Sequence, residues 1–301
     1  MSSKTSSIIV VLLSLALPLT AAETVAPTVQ LASVNALVAD LDSGEVLLRK
    51  HADVAVPVAS VTKLMTALVV LDGGQPLDEW LTVVGWDHRN EKNAYSRLRV
   101  GSDIQRGELL RIALMSSENL ATHVLARHYP GGVPAFVAAM NAKALELGMT
   151  QSQFTDPAGL SPSNQSSAED LAALAKAAYT YDEVRAFSTG QRRDVRFKNP
   201  RYDLAYGNTN PLVANTAWNL GLSKTGYLTE AGRCLVMVAQ IDERRVVMVL
   251  LNSFGKRSPL GDAGRVRRWL TTGQSGTVAG DAREYERRMS EAYRLKAEGR
   301  S

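Results

Sequence analysis

The alternation of apolar and polar residues changes character twice along this chain. Asn35 to Asp40 reads as a strand, Leu41-Asp42-Ser43-Gly44 as a turn, and Glu45 to Arg49 as a returning strand. A helical pattern follows. It runs from Ser60 to Leu71 and is ended by Asp72-Gly73-Gly74. Trp80 to Gly101 is polar with scattered aromatics, which predicts irregular or short-stranded structure. Helical spacing resumes at Glu108 to Met115, breaks at Ser116-Ser117-Glu118-Asn119, and continues to Tyr129, where Pro130-Gly131-Gly132 stops it. Val133 to Leu147 is a further helix closed by Gly148. Asp156 to Ser167 reads as a loop, and Ala168 to Tyr181 as a helix with Ser167 as its cap. The last third turns to β-branched and apolar runs at Leu220 to Tyr227, Cys234 to Ile241 and Arg245 to Leu251. Asp242-Glu243-Arg244 is a tight turn between the last two, so the three form an antiparallel meander.

This order predicts an α/β fold of the α+β type: one antiparallel sheet built from both chain ends, with a helical block inserted between them. Gly264 to Leu270 is a candidate closing helix beside the N-terminal hairpin. Beyond Thr272 the chain is polar and charged. Asp281 to Arg300 reads either as an exposed helix with Tyr285, Met289 and Ala292 on one stripe, or as a solvated tail. The expected divisions are 1–22, 23–33, a globular domain at 34–273 and a charged tail at 274–301.

Composition narrows the classes. With 45% hydrophobic and 21% charged residues, the chain has material for a sizeable core. The net charge of +4 is not gathered into a basic stripe with interleaved aromatics, which argues against a nucleic-acid partner. The start has the form of a secretory signal: Lys4, an apolar run from Ile8 to Leu17, Pro18, then Thr20-Ala21-Ala22 before Glu23. That run is short for a bilayer span, so the expectation is an exported, periplasmic protein with no transmembrane anchor in its mature form. The single cysteine, Cys234, excludes an internal disulfide and sits in a strand pattern that predicts a buried thiol.

Candidate chemistry starts at Ser60-Val61-Thr62-Lys63. Three residues is nearly one helical turn, so hydroxyl and amine share a face. A serine needs a base to become a nucleophile, and a lysine becomes a base when burial disfavours its charge. Lys63 is the only charged residue from Val61 to Leu71, an expensive place for an ammonium without partners. Alone, the pattern also describes a Ser60-capped helix whose lysine reaches out to water. Two further elements weigh against that. Ser117-Glu118-Asn119 lies at a helix break, and Lys224-Thr225-Gly226 lies on a strand, where Gly226 permits another backbone to come close. In this order they make up the set described for penicillin-binding proteins and class A β-lactamases.

On these motifs the chain resembles a low-molecular-mass penicillin-binding protein of the D-alanyl-D-alanine carboxypeptidase/endopeptidase family, over roughly Asn35 to Leu270. Asp40 to Gly44, Gly148-Met149, Gly159-Leu160 and Asn208-Thr209-Asn210 support the match. Leu114 to Asn119, His128 to Gly132 and Met140 to Lys143 resemble the short endopeptidases of the penicillin-binding protein 7 type. The resemblance implies the serine transpeptidase fold shared with β-lactamases, and residues 34–273 as a D,D-peptidase domain. It implies Ser60 as nucleophile towards a D-alanyl carbonyl of a peptidoglycan stem peptide, with Lys63 as its base. Ser117 and Lys224 would relay a proton to the leaving amine, and Asn119 would bond the substrate amide. The backbone N–H groups of Ser60 and Tyr227 would form the oxyanion site, with Thr225 and Lys224 facing the substrate carboxylate and Gly226 between them. β-Lactams would acylate Ser60, and no metal or cofactor is required. The charged tail is a candidate docking point for a cell-wall synthase or hydrolase.

Other readings have specific discriminators. A metal hydrolase would want His-Glu-x-x-His spacing, which His51, His88, His123 and His128 do not provide. A Ser-His-Asp enzyme would want a Gly-x-Ser-x-Gly elbow. A class A β-lactamase would carry a deacylating glutamate where this chain has Phe154 to Leu160. A carboxypeptidase that trims terminal D-alanine, or a wall-binding or β-lactam-sensing protein without turnover, remains open at this level. Residues 89–99 and 165–167 are the candidates for shaping the far side of the groove.

Overall fold

The structure, a computed structural model, describes residues 29–86 and 95–299. The signal-like segment, most of the leader and residues 89–94 of the groove candidates lie outside the described residues, as does His88.

Ser33–Asp40 (β1) and Val46–Lys50 (β2) form the N-terminal hairpin. The two-residue strand Val56–Pro57 (β3) leads through a 3-10 turn at Ala59–Thr62 into Lys63–Asp72 (α1). A small hairpin of Trp80–Thr82 (β4) and Asp103–Gln105 (β5) precedes Arg106–Met115 (α2), Asn119–Arg127 (α3) and Gly132–Glu146 (α4). Gln165–Ser166 (β6) pairs with β3. Ala168–Tyr179 (α5) follows, and the Ser167 side chain accepts from Asp170 N, the cap expected from sequence.

Asp182–Thr189 (α6) and the hairpin Arg192–Phe197 (β7) and Tyr202–Gly207 (β8) were not expected. Four of the six β7 residues are exposed, so the strand has little apolar alternation to betray it. Leu220–Leu228 (β9), Gly232–Ile241 (β10) and Arg244–Ser253 (β11) form the expected meander, and Ser258–Thr272 (α7) closes it.

The main sheet has the order β2-β1-β11-β10-β9, and β1 pairs antiparallel with β11, so both chain ends do build one sheet. Its strands read as nearly continuous apolar runs because both faces are covered. The period of two sorts the side chains. Leu37, Val236, Val238, Val247 and Val249 pack with the helical block, while Ala36, Val38, Met237, Met248 and Leu250 pack towards α7. Helix α1 runs through the middle of the block, with residues 63–70 all buried. A helix apolar on every side belongs in such a position.

Two polar anchors tie down the chain ends. Asp262 on α7 is fully buried. It accepts from Ala32 N at 2.8 Å, Ser33 N at 2.7 Å and Ser33 Oγ at 2.6 Å, and pairs with Arg265 at 2.5 Å. The charged tail is a helix, Gly280–Ala297 (α8), that lies against the body. Tyr285 Oη donates to Asn252 Oδ1 at 2.7 Å, Tyr293 Oη donates to Asn35 Oδ1 at 3.2 Å, and Glu286 pairs with Lys50 at 2.9 Å. The expected stripe is thereby corrected. Ala292 is exposed, and Ala282, Tyr285, Glu286 and Tyr293 face the body, because Asn35 and Asn252 supply polar partners at those positions.

Replacing Asp262 with Ala would leave two buried N–H groups and Arg265 without their acceptor. Asp262→Ala should cost roughly 3–5 kcal/mol in a urea unfolding titration, and an unchanged midpoint would refute the anchor.

Candidate active site

Four segments far apart in sequence meet at the open edge of the sheet. The first is the 3-10 turn before α1. Ala59 has φ 49°, a left-handed conformation that few L residues adopt, and it sets Ser60 on the turn. Ser60 makes no side-chain cap, which removes the capped-helix reading. Lys63, the first residue of α1, does not reach out to water: it is 0% exposed.

Lys63 Nζ has three neighbours: Ser60 Oγ at 2.9 Å, Asn119 Oδ1 at 2.8 Å and the Ala158 carbonyl at 2.6 Å. Desolvation lowers its pKa from 10.5 to about 7, against the opposing pull of Asp156 and Glu118. As an ammonium, Lys63 donates to all three. Once it is neutral, the two carbonyl oxygens, which can only accept, keep its two N–H bonds, and its lone pair is left to receive the Ser60 hydroxyl proton. The contact has the geometry that a nucleophile and its base require, without a histidine.

The second segment is the break between α2 and α3. Ser117 sits there at φ 59°, and Asn119 opens α3. The third is β9, the edge strand of the sheet. Lys224, 1% exposed, approaches Ser117 Oγ at 3.0 Å and donates to the Thr225 carbonyl at 2.8 Å. Burial, and then the charge of Lys63, hold its pKa well below the usual lysine value. Gly226 is where β9 crosses the nucleophile turn: a Cβ there would lie 3.0 Å from Val58 O and 3.1 Å from Ser60 N. Thr225 Oγ1 is 2.6 Å from Thr209 Oγ1.

The fourth segment closes the back of the site. Asp156 accepts from the N–H groups of Ala158, Gly159, Leu160 and Ser161 at 2.7–3.2 Å, which fixes the loop that offers Ala158 O to Lys63. Gly159 has φ 75°, and a Cβ on it would lie 2.0 Å from Ala59 O. No side chain fits between this loop and the turn that holds Ser60.

All eight residues singled out from the sequence, Ser60, Lys63, Ser117, Asn119, Lys224, Thr225, Gly226 and Tyr227, gather around one groove of about 650 Å³. Its other walls were missed: Pro211, Arg233, Lys256, Arg257 and Leu260 also line it, and none belongs to a short motif. Residues 165–167 do not line it, a correction to the expectation. Gln165 and Ser166 pair with β3, and Ser167 is buried beneath the start of α5. Cys234 is buried on β10, and burial raises its thiol pKa to about 11. Of the described histidines, His51 Nε2 meets Ser290 Oγ at 3.1 Å, His128 Nε2 meets Thr82 O at 2.9 Å, and His123 packs on Trp86.

The Lys63 pKa has a kinetic consequence. The amine is the competent base only above about pH 7, so acylation of Ser60 by a fluorescent penicillin should rise about tenfold per pH unit below that point and level off above it. A rate flat across pH 7 would exclude Lys63 as the base. Gly159→Ala should destabilise the fold by about 3 kcal/mol and slow the same labelling, since the turn that carries Ser60 has to give way. A variant with wild-type melting temperature and labelling would contradict the packing described here.

Comparison with known proteins gives the family and the fold. The family model described as D-alanyl-D-alanine carboxypeptidase matches residues 20–255. A D-alanyl-D-alanine endopeptidase of Pseudomonas aeruginosa is 47% identical over 85% of this chain and 83% of its own length. One from Escherichia coli is 44% identical over 90% and 87%. Among solved structures, the Streptomyces DD-transpeptidase superposes with a TM-score of 0.74 at 25% identity, covering 80% of this chain and 97% of its own. Penicillin-binding protein D2 of Listeria monocytogenes, in its cefotaxime-bound form, gives 0.70 at 27% identity, covering 82% and 99%. With its serine, two dry lysines and edge strand in this arrangement, the chain belongs to the D-alanyl-D-alanine carboxypeptidase family of serine peptidases.

Proposed function

We propose that this protein is a penicillin-sensitive D,D-endopeptidase that cuts D-alanyl cross-links of peptidoglycan through an acyl-enzyme on Ser60. The observation that carries the reading is the pair of buried lysines, each on a serine hydroxyl, facing one groove beside an edge strand. A stem peptide adds along that edge as a further strand. Ser60 Oγ attacks the D-alanyl carbonyl carbon while its proton passes to Lys63 Nζ. The carbonyl oxygen becomes an oxyanion held by the N–H groups of Ser60 and Tyr227. As the C–N bond breaks, the leaving nitrogen takes a proton from Ser117, with Lys224 behind it. Asn119, whose oxygen faces Lys63, offers its NH2 to the substrate amide. Thr225 and Lys224 engage the carboxylate beside the leaving nitrogen. Water then releases the acyl group.

β-Lactams enter the same path and are released slowly. The one carboxylate in residues 154–160, Asp156, is occupied by backbone N–H groups rather than poised as a base. Two relatives of nearly the same length bear the endopeptidase name, which favours cross-link cleavage over trimming of terminal D-alanine. No helix among the described residues is long and apolar enough to cross a membrane. The signal-like residues 1–22 support the reading of an exported, periplasmic enzyme. The outward face of α8, with Arg287, Arg288 and Glu291 exposed, is the surface left for a wall synthase or hydrolase.

Digestion of intact cross-linked peptidoglycan, with Ser60→Ala as the blank and products weighed by mass spectrometry, tests this reading. Dimeric muropeptides should fall to monomers with terminal D-alanine retained. Shortened pentapeptides with surviving cross-links would make it a carboxypeptidase. No product at all, with penicillin still bound at Ser60, would make it a sensor.

A further inference from the structure

A cation with no anion among the described residues lines the same groove as Ser60. Arg233 on β10 is the register partner of Tyr227 on β9, and its guanidinium carbon lies 3.6 Å from the centre of the Tyr227 ring. Several other arginines pair with carboxylates, Arg193 with Glu108, Arg265 with Asp262 and Arg245 with Asp42, while others such as Arg267 and Arg288 also lie on aromatic rings but do not line the groove. The Arg233 guanidinium has no hydrogen bond or ion pair among the described residues. The groove wall it shares with Lys256 and Arg257 carries no Asp or Glu. A guanidinium laid on an aromatic face keeps its fork of N–H donors in one plane, ready for a planar carboxylate.

The position says which half of the substrate meets it. Given the acyl transfer at Ser60 proposed above, the leaving nitrogen departs towards Ser117 and Lys224. The acyl half therefore continues along the edge of β9 past Tyr227, whose N–H holds the oxyanion. Strands lie about 4.8 Å apart and an extended residue spans about 3.4 Å, so Arg233, one strand further in, overlooks about one or two substrate residues preceding the D-alanine. In a peptidoglycan stem those residues are a diamino acid and a γ-linked D-glutamate, each able to present a free carboxylate or its amide.

We propose that Arg233, held in place by Tyr227, is a specificity-determining residue that binds a free carboxylate on the acyl-donor half of the stem peptide. It makes the enzyme discriminate against walls in which that carboxylate is amidated. The side chain of benzylpenicillin takes this position but carries no carboxylate, so acylation by that drug does not draw on Arg233.

The test uses the full chain and three cross-linked muropeptide dimers: one with free donor carboxylates, one amidated at the donor D-glutamate, one amidated at the donor diamino acid. Wild-type kcat/KM should fall about tenfold to a hundredfold for one of the two amides, and which one identifies the carboxylate. Arg233→Gln should cleave all three at similar rates, and Arg233→Lys should regain part of the preference. A purely structural role would lower all three rates together and leave their ratios unchanged, which would overturn the proposal. A wild-type enzyme that cleaves the three equally would overturn it too, while leaving the endopeptidase reading intact. A wild-type enzyme that cleaves none would overturn both.

Discussion

An ammonium taken out of water is the constraint around which this site is organised. Lys63 opens a helix with no other charge in its first turns, and that helix lies inside a block of α2, α4 and α5. Water cannot solvate the amine there. It is held instead by two carbonyl oxygens and a hydroxyl, and it gives up its proton near neutral pH. The carbonyls come from opposite sides, 56 and 95 residues away in sequence. Each is rigid for its own reason: Asn119 because it opens a helix, Ala158 because Asp156 gathers its loop through four backbone N–H groups.

The second lysine repeats the arrangement on the far side of the groove. Lys224 faces inward from an edge strand, whereas edge lysines normally face water and block aggregation. Here the edge stays unpaired among the described residues. Ser117 caps the ammonium from the helical block, across 107 residues of sequence. Burial lowers the proton affinity of both lysines, and the charge of Lys63 lowers that of Lys224 further; with a wall of Arg233, Lys256 and Arg257 beside them, the cleft suits a peptide bearing several carboxylates.

Much of this was legible along the chain, and the reason is locality. Ser60 and Lys63 are three apart on one turn, so helical geometry alone puts them on one face. The apolar run from Leu64 to Leu71 announces burial by itself. Strands β9 to β11 show as near-unbroken apolar runs because helices cover both sides of the sheet. The hairpin of β7 and β8 escaped notice for the opposite reason: its strands lie mostly in water and carry charges. The stripe on α8 was displaced because its partners are asparagines on β1 and β11, which no pattern within the helix encodes.

The sequence by itself therefore determined the three reactive segments, the sheet that joins the chain ends, and the family. Local spacing and motif order report directly on such features. Tertiary structure alone decided which atoms meet. It chose Ala158 O as the partner of Lys63, closed the loop on Gly159, sent residues 165–167 to the back of the site, and laid Arg233 on Tyr227. Groove walls and buried hydrogen-bond partners come from segments distant along the chain, and their spacing is set by how sheet and helices pack.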